Sequence, residues 1–339
     1  MKEALLYDKG PSRRVTCRLC AHRCGIDEGA HGICGVRQNT GGILSTLAYG
    51  EIIAAHVDPI EKKPLYHFLP GSRSYSIAAA GCNFRCGFCQ NWEISQPKGA
   101  ARSALPSMKM TPEEIVRAAQ RSSCESISYT YTEPTIFFEY ARDTALLAKE
   151  RGISNVFVTN GYMTGDCLAM LEGLLDAANV DLKAFDDTTY RRVCGARLQP
   201  VLDSIATLHA MGVWVEVTTL IVPGVNDDET SLRSIAAFLA GVSREIPWHI
   251  SRFYPQYQMN DLQPTDINIL KRARQIGTAA GLRSVYLGNV HGDEDSTFCY
   301  NCGTVIIERS GYEVRNTYIE EGRCPKCRNL LHGRWRQTP

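Results

Sequence analysis

The chain has 339 residues, with 37 Lys and Arg against 36 Asp and Glu and a formal net charge of +1. This length allows two or three domains with a sizeable hydrophobic core. The near-neutral charge gives no overall attraction to nucleic acid or to a membrane surface, so we expect neither as a partner. No run of 18 apolar residues occurs, and MKEALLYDKG lacks the apolar stretch of a signal peptide, which predicts a cytoplasmic protein.

The 14 cysteines are the most informative feature, because a reducing cytosol keeps thiols free and closely spaced cysteines there indicate metal or iron–sulfur ligands. Eleven of them fall into three groups, which are Cys17, Cys20, Cys24 and Cys34; Cys82, Cys86 and Cys89; and Cys299, Cys302, Cys324 and Cys327. Single cysteines in or beside apolar stretches are usually small buried hydrophobes. We therefore expect no chemistry from Cys124, Cys167 and Cys194.

Between the outer cysteine groups, seven strand-like segments alternate with six helical patterns, which predicts parallel strands joined by helical crossovers. Polar residues follow the strands in CNFRCGFCQN, TEPT, TNG, DLK, PGVND, YPQY and NVHG. Loops decorated at every strand end favour a barrel over a doubly wound sheet. We predict an α/β fold with an incomplete barrel over residues 73–292, a Cys-rich segment over 1–72 and a short module over 293–339. Residues 42–50 and 51–58 are expected to form a hairpin.

The central motif, Cys82-x3-Cys86-x2-Cys89, supplies three thiolates within eight residues. A four-iron cluster normally takes four cysteines, so three would leave one iron open to a substrate. Structural zinc is the alternative and needs a fourth ligand. Asn83, Gln90 and Asn91, the polar neighbours, are poor candidates for that ligand. The motif therefore favours a cluster with an open iron.

This loop, with Phe88 at its aromatic position, resembles the defining motif of the radical S-adenosylmethionine (radical SAM) superfamily. The branch that contains pyruvate formate-lyase activating enzyme is similar in CNFRCGFCQN, VTNG, DLK and VPGVND. The radical SAM member of the AmmeMemoRadiSam group looks closest in CRLCAHRC, GICGVRQN, EKKPLYHFLPGS and GCNFRCGFCQNWEISQ. The resemblance covers nearly the whole chain and implies a partial (β/α)6-type barrel.

The same resemblance implies the cofactors. The open iron of a [4Fe-4S] cluster would bind the amino and carboxylate groups of S-adenosylmethionine (SAM). One electron, from a donor such as flavodoxin or ferredoxin, would then cleave SAM to methionine and a 5′-deoxyadenosyl radical that abstracts a hydrogen atom. The cluster and SAM would carry this chemistry while the protein supplies position and exclusion of water.

Glu133 in YTEPT corresponds to the acidic residue of the family's Gly-Gly-Glu motif, which implies a hydrogen bond to the SAM ammonium group. Tyr131 and Thr132 stand here in place of the two glycines. The alternative is that the Glu133 carboxylate caps the following helix.

Two further strand ends carry candidate SAM contacts. Thr159, Asn160 and Gly161 close the third strand and could meet the ribose hydroxyls, although Asn-Gly is also a common turn. Asp181 and Lys183 alternate along the fourth strand and so face the same side, the barrel interior. They could bind the SAM carboxylate or ribose, or form an internal salt bridge.

The remaining candidates lie around the predicted barrel mouth. They are Thr218, Pro223, Gly224, Arg252, Tyr254, Gln256, Tyr257 and Asn289. Polar groups of this kind could orient a substrate.

Both ends of the chain carry candidate closed metal sites. Cys299-x2-Cys302 and Cys324-x2-Cys327 form two knuckles of the kind found in zinc ribbons, with an auxiliary iron–sulfur site as the alternative. At the amino end, the set of Cys17, Cys20, Cys24 and Cys34 could hold structural zinc or an auxiliary cluster. Spacing alone does not separate the two metals there.

These features together predict a radical SAM oxidoreductase, for which the sequence assigns no catalytic residue. We expect the substrate to be a segment of a partner protein, as in glycyl-radical activating enzymes. The alternatives are a small molecule or RNA as the substrate. A nonenzymatic scaffold or electron carrier would explain the cysteines but not the polar residues gathered at the strand ends.

Overall fold

The computed structural model describes residues 2–97, 105–290 and 295–336. The predicted boundary between residues 292 and 293 lies outside these ranges. In chain order, the strands are β1 (Lys2–Glu3), β2 (Tyr7–Lys9), β3 (Val15–Cys17), β4 (Gly25–Ile26), β5 (Arg37–Thr40), β6 (Ile43–Thr46), β7 (Glu51–Ile52), β8 (Ala54–Pro59), β9 (Arg73–Ala78), β10 (Met108–Lys109), β11 (Ser126–Tyr129), β12 (Ser154–Thr159), β13 (Ala177–Asp181), β14 (Trp214–Ile221), β15 (Trp248–Arg252), β16 (Val285–Gly288), β17 (Thr297–Phe298), β18 (Val305–Ser310) and β19 (Glu313–Thr317).

Helices connect the strands of the central sheet. The α-helices are α1 (Trp92–Ser95), α2 (Pro112–Arg121), α3 (Phe138–Glu150), α4 (Gly165–Ala169), α5 (Asp187–Thr189), α6 (Gln199–Ala210), α7 (Glu229–Val242) and α8 (Ile267–Ala279). Short 3-10 helices span Pro11–Arg13, Ile60–Lys62 and Pro134–Phe137, and a π-helix spans Tyr190–Cys194. None of the helices in the described ranges is long and apolar enough to cross a membrane.

The central sheet has eight strands in the order β16-β15-β14-β13-β12-β11-β9-β8. Its seven strands from β9 to β16 pair in parallel, as predicted, and β8 adds to β9 in the antiparallel direction. Within the described residues the edge strands β8 and β16 do not pair with each other, so the sheet forms a partial barrel. Parallel strands end on the same side, and the loops after β9, β11, β12 and β13 therefore meet at one rim.

Helix α2 shows how the sequence builds the outer layer. The Thr111 hydroxyl accepts a hydrogen bond from the Glu114 N–H, and the Glu114 carboxylate accepts one from the Thr111 N–H. This capping box, with Pro112 at the first helical position, starts the helix. Ile115 and Ala119 are buried one turn apart, so one face of α2 packs against the sheet.

The segment DCLAMLEGLLDAA is one of the six helical patterns of the sequence, and its helix is shorter than its apolar spacing suggests. Helix α4 ends at Ala169, and turns continue the chain to β13. Gly173 adopts a left-handed φ of 67°, which takes the chain off the helical path. Leu171 and Leu175 are nevertheless buried, so the turns satisfy the same apolar spacing that suggested a longer helix.

The hairpin expected from residues 42–50 and 51–58 does not form, although both segments contain strands. β6 pairs with β5 and β1, whereas β8 pairs with β9 in the central sheet. Gly50, with φ of 74°, turns the chain between them. Alternating polarity predicts a strand but not its partner, which is why this prediction was wrong.

Beyond the barrel, β17, β18 and β19 form a three-stranded antiparallel sheet. Arg309 on β18 is fully buried and donates a 2.6 Å hydrogen bond to the carbonyl oxygen of Tyr66. Nε2 of His67 lies 2.6 Å from the Tyr286 hydroxyl, and its Nδ1 lies 2.9 Å from the His332 carbonyl oxygen. Buried polar contacts thus fasten this module to the segment after β8 and to β16.

Candidate active site

The cysteine motif follows β9 in a loop at the rim of the barrel, as predicted. Cys86 is buried, and Cys82 and Cys89 are half-buried. The Phe84 N–H donates to the Cys82 Sγ at 3.3 Å, and the Ser95 hydroxyl lies 3.1 Å from the Cys89 Sγ. Burial raises the pKa of the Cys82 and Cys89 thiols. Hydrogen bonds to sulfur are typical of cysteines that bind metal clusters.

Cys194, which the sequence analysis treated as an inert buried residue, lies beside this loop. Its thiol interacts with that of Cys86, and this contact lowers the pKa of Cys86. The Arg85 N–H also donates to the Cys194 carbonyl oxygen at 2.8 Å. Cys194 ends the π-helix, a conformation frequent at functional sites. Cys194 is far from the motif in the sequence, so no local sequence pattern predicted this contact.

Glu133 is buried where the loop after β11 reaches the rim. Its Oε1 accepts hydrogen bonds from the Thr135 N–H at 3.0 Å, the Thr135 hydroxyl at 2.6 Å and the Thr159 hydroxyl at 2.8 Å. Its Oε2 accepts one from the Asn160 N–H at 2.8 Å. Burial raises the pKa of Glu133, against the effect of these donors. Glu133 therefore caps the following helix and also joins two strand ends.

Asn160 connects the TNG turn to the cysteine loop. Its Nδ2 donates to the Asn83 Oδ1 at 2.7 Å and lies 3.9 Å from the Cys82 Sγ. Gly161 next to it has φ of 69°, and a Cβ there would lie 2.8 Å from a methyl group of Val180. Residues 159–161 therefore form a tight backbone turn and also contact the cysteine motif.

Asp181 and Lys183 form the internal salt bridge, with 2.9 Å between Lys183 Nζ and Asp181 Oδ2. Lys183 Nζ also lies 5.7 Å from the centroid of the Phe88 ring. Burial alone would lower the pKa of Lys183, but the Asp181 carboxylate and the neighbouring thiols of Cys86 and Cys194 raise it. The Asp181 carboxylate therefore holds the Lys183 ammonium group next to the cysteine loop.

Tyr131 occupies one of the two positions at which the Gly-Gly-Glu motif has glycine. It keeps a left-handed φ of 61°, a region that favours glycine, and its hydroxyl donates to Asp58. Lys63 Nζ lies 2.6 Å from the same carboxylate and 4.5 Å from the centroid of the Tyr131 ring. Burial lowers the pKa of Lys63 to about 8. Thr132 donates to the Ala79 carbonyl oxygen at 2.7 Å.

Three of the mouth residues form a network at the ends of β15 and β16. Arg252 donates through Nε to the Thr265 carbonyl oxygen at 2.8 Å and through Nη1 to the Tyr254 hydroxyl at 3.2 Å. The Tyr254 hydroxyl donates in turn to the Asn289 carbonyl oxygen at 3.2 Å.

The neighbouring loop touches the cysteine motif directly. The Gln258 N–H donates to the Gly87 carbonyl oxygen at 3.0 Å. Tyr257 stacks on Trp92, with ring centroids 5.1 Å apart, and Trp92 is partly exposed. Gln256 closes the turn through its carbonyl oxygen. An aromatic surface therefore borders the loop that carries Cys89.

The loop after β14 is held by Asn226, which the sequence analysis did not single out. Its Nδ2 donates to the carbonyl oxygens of Lys183 and Leu220, both at 2.8 Å. Gly224 lies on the exposed part of this loop next to Pro223. Thr218 instead faces the barrel interior, where its hydroxyl donates to Asn179. These residues are not brought into contact with the cysteines.

The carboxyl-terminal cysteines form a compact four-thiol site. The sulfurs of Cys299 and Cys327 are 3.6 Å apart, and those of Cys302 and Cys324 are 3.7 Å apart. All four lie within 4.8 Å of one another. A hydrogen bond with Thr304 lowers the pKa of Cys302 to about 6. This arrangement could bind a metal ion.

Comparison with known proteins agrees with this geometry. The sequence profile of the radical SAM superfamily matches residues 76–234, which include the cysteine loop, Glu133, Asn160 and Lys183. An uncharacterized protein of Methanocaldococcus jannaschii is 44% identical over 331 residues, covering 96% of this chain and 98% of that protein. The chain belongs to the radical SAM superfamily.

Two further comparisons place this radical SAM chain among known proteins. Pyruvate formate-lyase 1-activating enzyme of Escherichia coli is 24% identical over 162 residues, or 47% of this chain and 65% of that enzyme. The crystal structure of a radical SAM methyltransferase from Sphaerobacter thermophilus matches 70% of this chain and 71% of its own, with a TM-score of 0.51 and 18% identity. The latter similarity shows the fold alone. The resemblance to the radical SAM superfamily and to its activating-enzyme branch, inferred from the sequence, is confirmed.

Proposed function

We propose that this radical SAM enzyme cleaves SAM and abstracts a hydrogen atom from a segment of a partner protein. The observation that carries the proposal is the meeting of a three-cysteine loop with Glu133 and Asn160 at one rim of the barrel. These are polar groups suited to binding SAM beside a cluster that lacks a fourth cysteine.

The chain's thiols fit a [4Fe-4S] cluster held by Cys82, Cys86 and Cys89. Sulfurs bound to different irons of such a cluster stand roughly 6 Å apart. The Cys194 thiol interacts with that of Cys86, so we treat Cys194 as a neighbour of this ligand and not as a fourth ligand. Three cysteines would leave one iron of the cluster open, and the cluster, once reduced, would supply the electron that splits SAM into methionine and a 5′-deoxyadenosyl radical.

The surrounding residues bind and orient SAM. Oε2 of Glu133 accepts one hydrogen bond from the protein and has capacity for another, from the SAM ammonium group. Lys183, held by Asp181, offers a cation to the SAM carboxylate. The buried Phe88 ring beside Lys183 excludes water from this side of the site.

A protein substrate is supported by three features. The open edges of the partial barrel leave a lateral opening, and the E. coli relative is named for activating another enzyme, pyruvate formate-lyase. The exposed stacked pair of Trp92 and Tyr257 offers an apolar contact for a peptide at the mouth. Fold-level analogy supports the class of substrate, whereas these contacts are specific to the chain.

The test of the substrate is transfer of deuterium. Candidate proteins are purified from deuterated cells of the source organism. Each one is incubated with reconstituted enzyme, SAM and dithionite. We expect deuterium in 5′-deoxyadenosine and a radical or modified residue on one protein. Deuterium transfer from a purified metabolite, with turnover in the absence of any protein partner, would contradict the proposal and support a small-molecule substrate.

We place the reaction in the cytoplasm with flavodoxin or ferredoxin as the electron donor. A thiol-rich site for an oxygen-sensitive cluster suits a reducing compartment, and both donors deliver single electrons at low potential. Reduction of the enzyme by either donor in place of dithionite tests this choice.

We also propose that Cys299, Cys302, Cys324 and Cys327 bind zinc. Four sulfurs at about 2.3 Å from one zinc ion lie roughly 3.8 Å apart, close to the measured separations of 3.6 and 3.7 Å. We expect one equivalent of zinc after purification in air, because zinc has no redox chemistry to lose. Metal analysis of the Cys324→Ala variant should show that this zinc is gone. Iron in its place, lost in the same variant, would contradict the assignment.

A further inference from the structure

The amino-terminal cysteines form a second candidate metal site. Cys17 ends β3, and its N–H donates to the Cys24 carbonyl oxygen at 2.9 Å. Cys17 is buried, and Cys20, Cys24 and Cys34 are half-buried, so the four thiols lie within the folded amino-terminal segment.

A buried cation lies beside this set. The Arg37 guanidinium is 1% exposed, and its charge interacts with Cys17 and Cys34. Its Nη2 donates to both carboxylate oxygens of Glu139 at 2.6 and 2.7 Å. Among the described residues its buried Nε has no hydrogen-bond partner. An unpaired buried donor beside Cys17 and Cys34 indicates that an anionic group belongs there.

At the amino-terminal set, the spacing of the sulfurs favours an iron–sulfur cluster over zinc. In the described part of the chain, the carboxyl-terminal site is the one group of three or more possible ligands whose atoms all lie within 4.8 Å of one another. The amino-terminal thiols are not drawn together in this way, and neither are those of Cys82, Cys86 and Cys89. Zinc requires sulfurs roughly 3.8 Å apart, whereas cysteines on a four-iron cluster stand at roughly 6 Å.

The segment also packs directly on the catalytic loop. Nε2 of His22, two residues from both Cys20 and Cys24, lies 2.8 Å from the carbonyl oxygen of Asn83, which adjoins Cys82. Cys20 forms an antiparallel bridge with Met163, just after the TNG turn. Tyr162 accepts a 3.0 Å hydrogen bond from the Ala21 N–H. These contacts therefore join the amino-terminal cysteine segment directly to the loop of Cys82, Cys86 and Cys89.

We propose that Cys17, Cys20, Cys24 and Cys34 bind a second [4Fe-4S] cluster with four protein ligands. With no open iron, this cluster exchanges electrons and does not bind SAM. Its contact with the catalytic loop places an electron-transfer centre next to the site of SAM cleavage. The inference concerns the metal content of the chain and holds whether or not SAM is cleaved.

The first test counts iron in the full chain after anaerobic reconstitution. We expect about eight irons in the unchanged protein and about four in the Cys82→Ala, Cys86→Ala, Cys89→Ala variant. Adding Cys17→Ala and Cys24→Ala to that variant should remove the remaining iron and leave the zinc. Cys124→Ala, a buried cysteine outside all three sets, is the matched control and should keep all the iron. An iron-free triple variant that carries two zinc ions would overturn the proposal.

A spectroscopic test uses the unchanged protein and so does not depend on whether a variant folds. In the reduced unchanged protein, we expect SAM to alter the electron paramagnetic resonance signal of one cluster and to leave a second signal unchanged. A single cluster signal, wholly shifted by SAM, would contradict a second centre. Absence of 5′-deoxyadenosine with eight irons present would overturn the proposed function and leave this inference standing.

Discussion

At the scale of single residues, the rim is organised by side chains that bind one another. Glu133 joins the helix after β11 to the turn after β12 through four hydrogen bonds. Asn160 extends this connection to Asn83 and Cys82. Residues fixed in this way can hold a bound ligand without a large rearrangement, which favours precise positioning of SAM.

The Glu133→Gln variant tests this organisation. The amide NH2 group would face the Asn160 N–H, which now donates to Oε2 at 2.8 Å, so two donors would meet in a buried site. We expect the free energy of unfolding to fall by about 1–3 kcal/mol. Glu172→Gln, at an exposed position, should change it by less than about 0.5 kcal/mol. Equal stability of the two variants in urea unfolding would show that the Glu133 hydrogen bonds are not important.

Cys194→Ala tests the missed contact. It removes the thiol that interacts with that of Cys86, and polar contacts to cysteine ligands stabilise the reduced form of a cluster. We expect the reduction potential of the catalytic cluster to fall by on the order of 50 mV, the equivalent of one hydrogen bond. Cys124→Ala is the matched control. A potentiometric titration with the same midpoint in both variants would show that Cys194 is only a packing residue.

At the same scale, the sequence predicted most of the residues that the structure brings together at the candidate site. Spacing was sufficient for Cys82, Cys86 and Cys89, because ligands close in sequence must be close in space. Glu133 and Asn160 followed from their positions at strand ends. Cys194 and Asn226 were missed because their roles depend on contacts to distant segments, which no local pattern encodes.

At the scale of elements, the TNG turn carries a specific steric requirement. Gly161 and Gly152 have similar backbone conformations, with φ of 69° and 67°. A Cβ at residue 161 would lie 2.8 Å from Val180, whereas one at residue 152 would have no atom within 4 Å. Ala at either position has the same backbone strain, and only Gly161→Ala adds a clash.

We therefore expect Gly161→Ala to lower the free energy of unfolding by about 1–3 kcal/mol more than Gly152→Ala does. Urea unfolding monitored by circular dichroism measures the difference. Adding Val180→Ala to Gly161→Ala should recover part of the loss by removing the clashing methyl group. Equal losses in Gly161→Ala and Gly152→Ala would show that the close approach to Val180 carries no cost.

The elements also show the limits of pattern reading. Alternation of apolar strands and helices predicted the seven parallel strands, because a parallel pair requires a crossover. The same reasoning failed for the hairpin over residues 42–58, since β6 and β8 find partners in different sheets. It also overestimated α4, where turns bury the same leucines.

At the scale of the whole molecule, both flanking segments are attached to the barrel by contacts that sequence spacing does not reveal. His22 reaches Asn83 across 61 residues, and Arg309 reaches Tyr66 across 243 residues. The three cysteine sets could be recognised from the sequence, but the closeness of two of them could not. The partial barrel thus places the loop of Cys82, Cys86 and Cys89 beside the amino-terminal cysteine segment.

The central claim is that Cys82, Cys86 and Cys89 support SAM cleavage. The direct measurement is 5′-deoxyadenosine formed by the anaerobically reconstituted chain with SAM and dithionite. We predict formation by the unchanged protein and by the Cys302→Ala, Cys327→Ala variant, provided that this variant keeps its fold, and none by the variant with all three motif cysteines replaced by Ala. Undiminished formation by the triple variant, or none by the unchanged protein with a full cluster, would contradict the account.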